Sequence, residues 1–209
     1  MHVYAFGSIC RGDISVDSDI DLLAIVDGPD SRFNPEIFSV YTYGRIKELW
    51  DDGNPFAWHL ALESRLVFSA DQTDYLQALN KPKQYRNCDR DCDKFFRLFQ
   101  KSHHSIMSSK KNRVFELSTV FLSVRNFASC YSLGIGVQPN FSRRSALKLG
   151  TRNAPISGDV YQILERARIL STRGYGAQLT EEEIESTLQN LPHIDTWMAA
   201  LLEESKSNE

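Results

Sequence analysis

No run of the 209 residues approaches the roughly 18 consecutive apolar positions that a membrane-spanning helix needs. Four cysteines, Cys10, Cys88, Cys92 and Cys130, are too few to staple a chain of this length. They read as reduced thiols of a cytoplasmic protein. Met1 to Phe6 lack a basic segment and a long apolar one, so no secretory leader is expected. Internal repeats and low-complexity tracts are absent. With 42% hydrophobic and 24% charged residues, the composition is that of an ordinary globular protein with a real core.

The net charge of −3 hides three unlike stretches. Residues 1–85 hold 7 basic and 13 acidic side chains, residues 86–180 hold 16 and 6, and residues 181–209 hold 1 and 8. The basic middle can face phosphates, of a nucleotide or of RNA, or it can pair with its acidic flanks.

The first third alternates strand and helix signals. His2–Phe6 reads as a strand stopped by Gly7-Ser8. Ile20–Val26 reads as a buried strand, and Phe38–Tyr43 as a third. A short helix over Arg45–Asp52 is closed by Gly53-Asn54-Pro55. Phe56–Phe68 fits a helix or a strand, and it can return as a strand beside Phe38–Tyr43. After a short helix at Tyr75–Leu79 the texture turns helical. Spacings predict helices over 89–109 and 111–133, the latter with Val114, Leu117, Val120, Phe121, Val124 and Phe127 on one face. A Gly- and Pro-containing loop runs to Ile156. Two more helices follow, from Ser157 or Asp159 to about Ser171, and from 181 after a Thr180–Glu183 capping box. The expected class is α+β: a small mixed sheet over residues 1–80, then a helical bundle over 81–209.

One constellation carries chemistry. Gly7-Ser8 ends the first strand, and ten residues later Asp19-Ile20-Asp21 opens the second. Carboxylates two apart on a strand point to one face. Placed before a buried apolar run, they are costly unless solvated or bound to a cation. Hard oxygen ligands suit Mg²⁺, which also grips substrate phosphates. Gly7 leaves room for a phosphate at the backbone, and Ser8 offers a hydroxyl.

This pattern, with Arg11-Gly12 and Asp17-Ser18 around it, resembles the active-site motif of the polymerase-beta-type nucleotidyltransferases, in particular their minimal and kanamycin-modifying branches. The resemblance covers about residues 3–27. It implies a Mg²⁺-dependent, cytoplasmic transferase that moves a nucleoside monophosphate from ATP or another NTP to an acceptor hydroxyl. The acceptor would belong to a small molecule, a protein or an RNA, and a homo-oligomer would be in keeping. It also implies that Gly7 and Ser8, with Arg11 beside them, bind the triphosphate, and that Asp19 and Asp21 bind the metal. The family's third carboxylate usually stands on a later strand, but Phe38–Tyr43 carries no acid. Glu63 is the first substitute as a catalytic base, with Glu36 and Asp27 behind it; an ordinary surface role suits Glu63 equally. The departure leaves open a catalytically degenerate nucleotide-binding module or a toxin–antitoxin-type interaction module. The helical half resembles the helical domains attached to such enzymes. Its Arg97 and His103 fit a loose ribonuclease spacing, and Cys88, Cys92 and His103-His104 imitate a zinc set only weakly.

Overall fold

The computed structural model describes residues 1–13, 20–136 and 138–207. They fall into two compact units, Met1–Arg86 and Asn87–Glu209, so residues 81–86 join the first. The class is α+β, a mixed sheet followed by a helical region.

In the first unit the order is β1 (His2–Phe6), α1 (Ser8–Arg11), β2 (Asp21–Val26), β3 (Phe38–Thr42), α2 (Tyr43–Asp51), α3 (Pro55–Glu63), β4 (Ser64–Ser69) and α4 (Tyr75–Ala78). The sheet order is β3-β2-β1-β4. β1 runs antiparallel to both neighbours, while β2 and β3 are parallel. Thr42 ends β3 because its hydroxyl accepts from the Arg45 amide at 3.1 Å and caps α2. Asn54 caps α3 in the same way, with Pro55 supplying its preset φ at the first turn. One sheet face (Tyr4, Phe6, Leu23, Ile25) is buried against Ile46, Leu49 and Trp50 of α2, Ala57 and Leu60 of α3, and Leu76 of α4.

The ambiguous stretch Phe56–Phe68 is both a helix and a strand. Its strand is not beside β3, as one expectation had it. α3 hands the chain directly to β4 at Glu63/Ser64, and β4 pairs with β1 at the opposite edge of the sheet.

In the second unit, α5 (Cys88–Ser108), α6 (Arg113–Gly134), α7 (Gly158–Arg173) and α8 (Glu181–Lys206) are joined by turns that include short 3-10 segments at Ser145–Leu147 and Gly150–Arg152. α6 packs on all three other helices, so more than the expected stripe is buried; Ser118, Ser123, Ser129 and Ser132 lie inside as well. The capping box at the start of α8 is formed in both directions: Glu183 N–H donates to Thr180 Oγ1 at 3.1 Å and Thr180 N–H to Glu183 Oε2 at 2.9 Å. Among the described residues no helix is long and apolar enough to cross a membrane.

Candidate active site

The strand register assembles the site. Phe6, the last residue of β1, lies opposite Asp21 on one side and Ser64 on the other. The turn after Phe6 therefore meets the first residue of β2 and the α3–β4 junction together. Gly7 donates its N–H to the Glu63 carbonyl at 3.1 Å, and its own carbonyl accepts from the Cys10 and Arg11 amides to start α1. Two independent constraints demand glycine here. Its φ is +75°, which disfavours any Cβ. A Cβ would also stand 2.6 Å from Asp21 Oδ2. The backbone of the turn is thus pressed against an exposed carboxylate. Half-buried Ser8 follows as the first residue of α1.

A second group of charges braces the turn from behind. Arg11 donates from Nε to Asp13 Oδ2 at 3.1 Å, and its Nη1 pairs with Glu63 Oε2. His59 Nε2 lies 2.9 Å from the same Glu63 oxygen. The His59 ring is set edge-on against Phe6, with centroids 5.6 Å apart. Burial by itself pushes the Glu63 carboxyl up. The hydrogen bond from His59 and the charges of His59 and Arg11 outweigh it and hold the group below its ordinary value. Cys10, also in α1, donates its thiol to the Ala5 carbonyl at 3.3 Å, and burial raises its pKa.

Gly7, Ser8 and Asp21 are therefore brought together, with Arg11 and Glu63 joined beside them. Asp19 lies outside the described residues. Asp27 follows the far end of β2, six strand steps or about 20 Å from Asp21. Glu36 lies at the near end: because β2 and β3 are parallel with Leu22 opposite Phe38, the residues just before each strand share one edge. A cavity of about 400 Å³ opens there, with Asp21, Glu36, Ile37 and Ser39 in its wall. Sequence reasoning placed Glu36 behind Glu63; the parallel pairing that raises it was not legible. The Arg11–Glu63–His59 network joins the helix after the glycine turn to the end of α3, and its His59–Glu63 half is an i, i+4 pair within one helix.

Residues 2–83 match the family model of the nucleotidyltransferase domain. Over this segment the chain is similar to nucleotidyltransferase domains. No curated protein matches the chain closely enough to serve as a relative. The resemblance noted in the Gly-Ser and Asp-x-Asp residues thus extends over the whole sheet unit. The sheet unit also fits the divalent cation that the motif implies. Asp21 is a hard oxygen donor, and the space beside it stays open only because Gly7 has no side chain. Among the described residues no three His, Cys, Asp or Glu side chains are gathered to hold a metal by themselves.

The other candidates lie in the second unit. Arg97 pairs with Asp93 one turn away at 2.7 Å and is 71% exposed, while the His103 ring packs on Phe99. Cys88 and Cys92 are buried with their sulfurs 4.0 Å apart and point toward carbonyls of α6. In the loop before α7, Arg144 of the basic stretch is held by Glu165 at 2.9 Å.

Proposed function

We propose that the protein is a Mg²⁺-dependent nucleotidyltransferase that moves a nucleoside monophosphate from an NTP to an acceptor hydroxyl. The observation that carries this reading is the glycine turn held against the Asp21 carboxylate at the end of β1, inside a nucleotidyltransferase domain. In this reading Gly7 and Ser8 receive the β- and γ-phosphates. Asp19 and Asp21 would hold the cation, which when bound offsets charge on the triphosphate and the departing pyrophosphate. Arg11, Glu63 and His59 keep α1 and the end of α3 in register with the turn, so the phosphate-facing backbone is fixed before substrate arrives. The free cysteines suit a reducing, cytoplasmic setting.

A second reading, nucleotide binding without turnover, is favoured by the acid-free β3. Pyrophosphate release with each NTP, with Mg²⁺ and then with chelator, separates the two. The transferase reading expects Mg²⁺-dependent release from at least one NTP that is lost in Asp19→Asn and in Asp21→Asn. Tight NTP binding with no release in any condition would leave the second reading standing.

A further inference from the structure

A second cavity, of about 570 Å³, lies at the β4 edge of the sheet, with β1 between it and Asp21 of β2. α3, the start of β4 and α4 form its walls. Leu66 lies opposite Tyr4 in the β1–β4 pair, so the two side chains share the face that packs on the helices. Leu66 therefore joins buried Leu60 and Leu76 in an apolar wall.

The charges along this wall leave an excess of cations. Its single carboxylate, Asp74, is occupied: it accepts the Tyr4 hydroxyl at 2.8 Å and the Gln77 amide at 3.1 Å. The Arg65 side chain donates to the carbonyl of its neighbour Ser64 at 3.2 Å. Neither exposed Arg65 nor exposed Lys81 has a carboxylate partner among the described residues. β4 is also an end strand of the sheet, so its outer row of backbone N–H and C=O groups has no strand partner there. The register shift between Val3 and Tyr4 of β1 makes Val67 the extra residue of β4 and leaves Ser64–Leu66 as an unbroken edge. Those three residues are the part of β4 that lines the cavity.

We propose that this edge binds an extended acidic segment of a partner protein. The segment pairs its backbone with Ser64–Leu66, sets an apolar side chain against Leu60, Leu66 and Leu76, and brings carboxylates to Arg65 and Lys81. An added strand takes its affinity from main-chain hydrogen bonds and its selectivity from the pockets that receive alternate side chains. Charge decides between a foreign strand and a second copy of this chain. β4 reads Ser64-Arg65-Leu66-Val67-Phe68-Ser69 and has no acid, so pairing it with itself would add cations to an edge that already has two. Binding at this edge requires no NTP turnover.

The test uses the full-length protein and a fluorescein-labelled octapeptide of alternating valine and glutamate, titrated by fluorescence anisotropy at low salt. Wild type should bind it with a Kd below about 100 µM. The same peptide with lysine in place of glutamate should bind at least about tenfold more weakly. Lys81→Glu should lower affinity for the glutamate peptide about threefold, and Arg65→Glu with Lys81→Glu about tenfold. Both positions are exposed, so thermal unfolding should stay at the wild-type temperature; Lys81→Glu alone carries the test if the double variant is unstable. A peptide with proline at its centre should lose most of the affinity, because it lacks an N–H to pair with the edge. Hydrogen exchange should slow within Ser64–Leu66 and not at β3, the other edge. No saturable binding, equal binding of the lysine peptide, wild-type affinity in the variants, undiminished binding of the proline peptide, or protection at β3 would each overturn the proposal. Micromolar self-association of wild type that protects β4 would overturn it in favour of a second copy.

Discussion

The two units treat charge in opposite ways. The sheet unit is the more acidic, and it leaves carboxylates standing exposed at one end of the sheet, Asp21 and Glu36 among them. The helical unit contains the basic stretch, yet several of its arginines are spent on partners. Arg113 pairs with Glu185 at 2.8 Å, Arg166 and Arg152 pair with Glu183 and Glu204, and Arg144 pairs with Glu165. Three of those four acids lie on α8, within the acidic C-terminal stretch. Segment charge read from sequence left two roles for the basic middle, contact with phosphates or pairing with the acidic flanks. The pairing shows that part of this charge serves internal neutralisation, while Asp21 stands exposed beside the Gly7 turn, where the proposed cation and its phosphates would bind.

The strongest way to break this comparison is at Gly7. Gly7→Val places a branched side chain at φ +75° and within 2.6 Å of Asp21 Oδ2. NTP binding should fall by two orders of magnitude or more, about 3 kcal/mol, while circular dichroism keeps the helical signal of the second unit. A fluorescent NTP analogue bound as tightly as by wild type would mean that the phosphates lie elsewhere.

Glu63→Gln tests the brace. Removing the charge leaves Arg11 and His59 without their shared anion and should cost about 1–3 kcal/mol at neutral pH. The pH dependence has a definite sign. The folded pKa of Glu63 lies below its ordinary value of 4.5, so its contribution is present above that value and fades as pH falls through the depressed one. The stability gap between wild type and Glu63→Gln, measured by urea unfolding, should therefore close as pH falls below about 5 and through the depressed value. A gap that persisted unchanged at the acid end of that range would show that Glu63 is not held as an anion.

Legibility in the sequence followed the range of the interactions. Capping and periodicity are local, so the helix boundaries of the second unit and the Thr180–Glu183 box could be read directly. The Gly7-Ser8 and Asp21 placement was also legible, because the motif's order fixes which strand ends meet. The position of β4 was not. Nothing within Phe56–Phe68 says that the strand half pairs with β1 at the far edge, since that choice is made by a handover at Glu63 and by packing of α3 on the sheet. The same pairing holds Glu63 against Arg11, and the parallel β2–β3 register lifts Glu36 into the cavity wall. The β1–β4 pairing joins residues 58 to 67 positions apart and the β2–β3 pairing residues 16 apart, beyond any local pattern.

The smallest effect is expected where the helical unit is most local. Thr180 accepts the Glu183 amide, and Glu183 returns a carboxylate bond to the Thr180 amide while also meeting Arg166. Thr180→Ala removes one of the two reciprocal bonds and leaves the Arg166 contact in place. It should cost about 1 kcal/mol, the usual value of a lost N-cap. Amide exchange reads this locally: the Glu183 amide should exchange several-fold faster, with the centre of α8 around Trp197 unaffected. NTP binding should not change, because the cap belongs to the unit whose charges are already paired. A loss of NTP affinity in Thr180→Ala would break the comparison from its other side, since it would tie the start of α8 to the nucleotide site of the sheet unit.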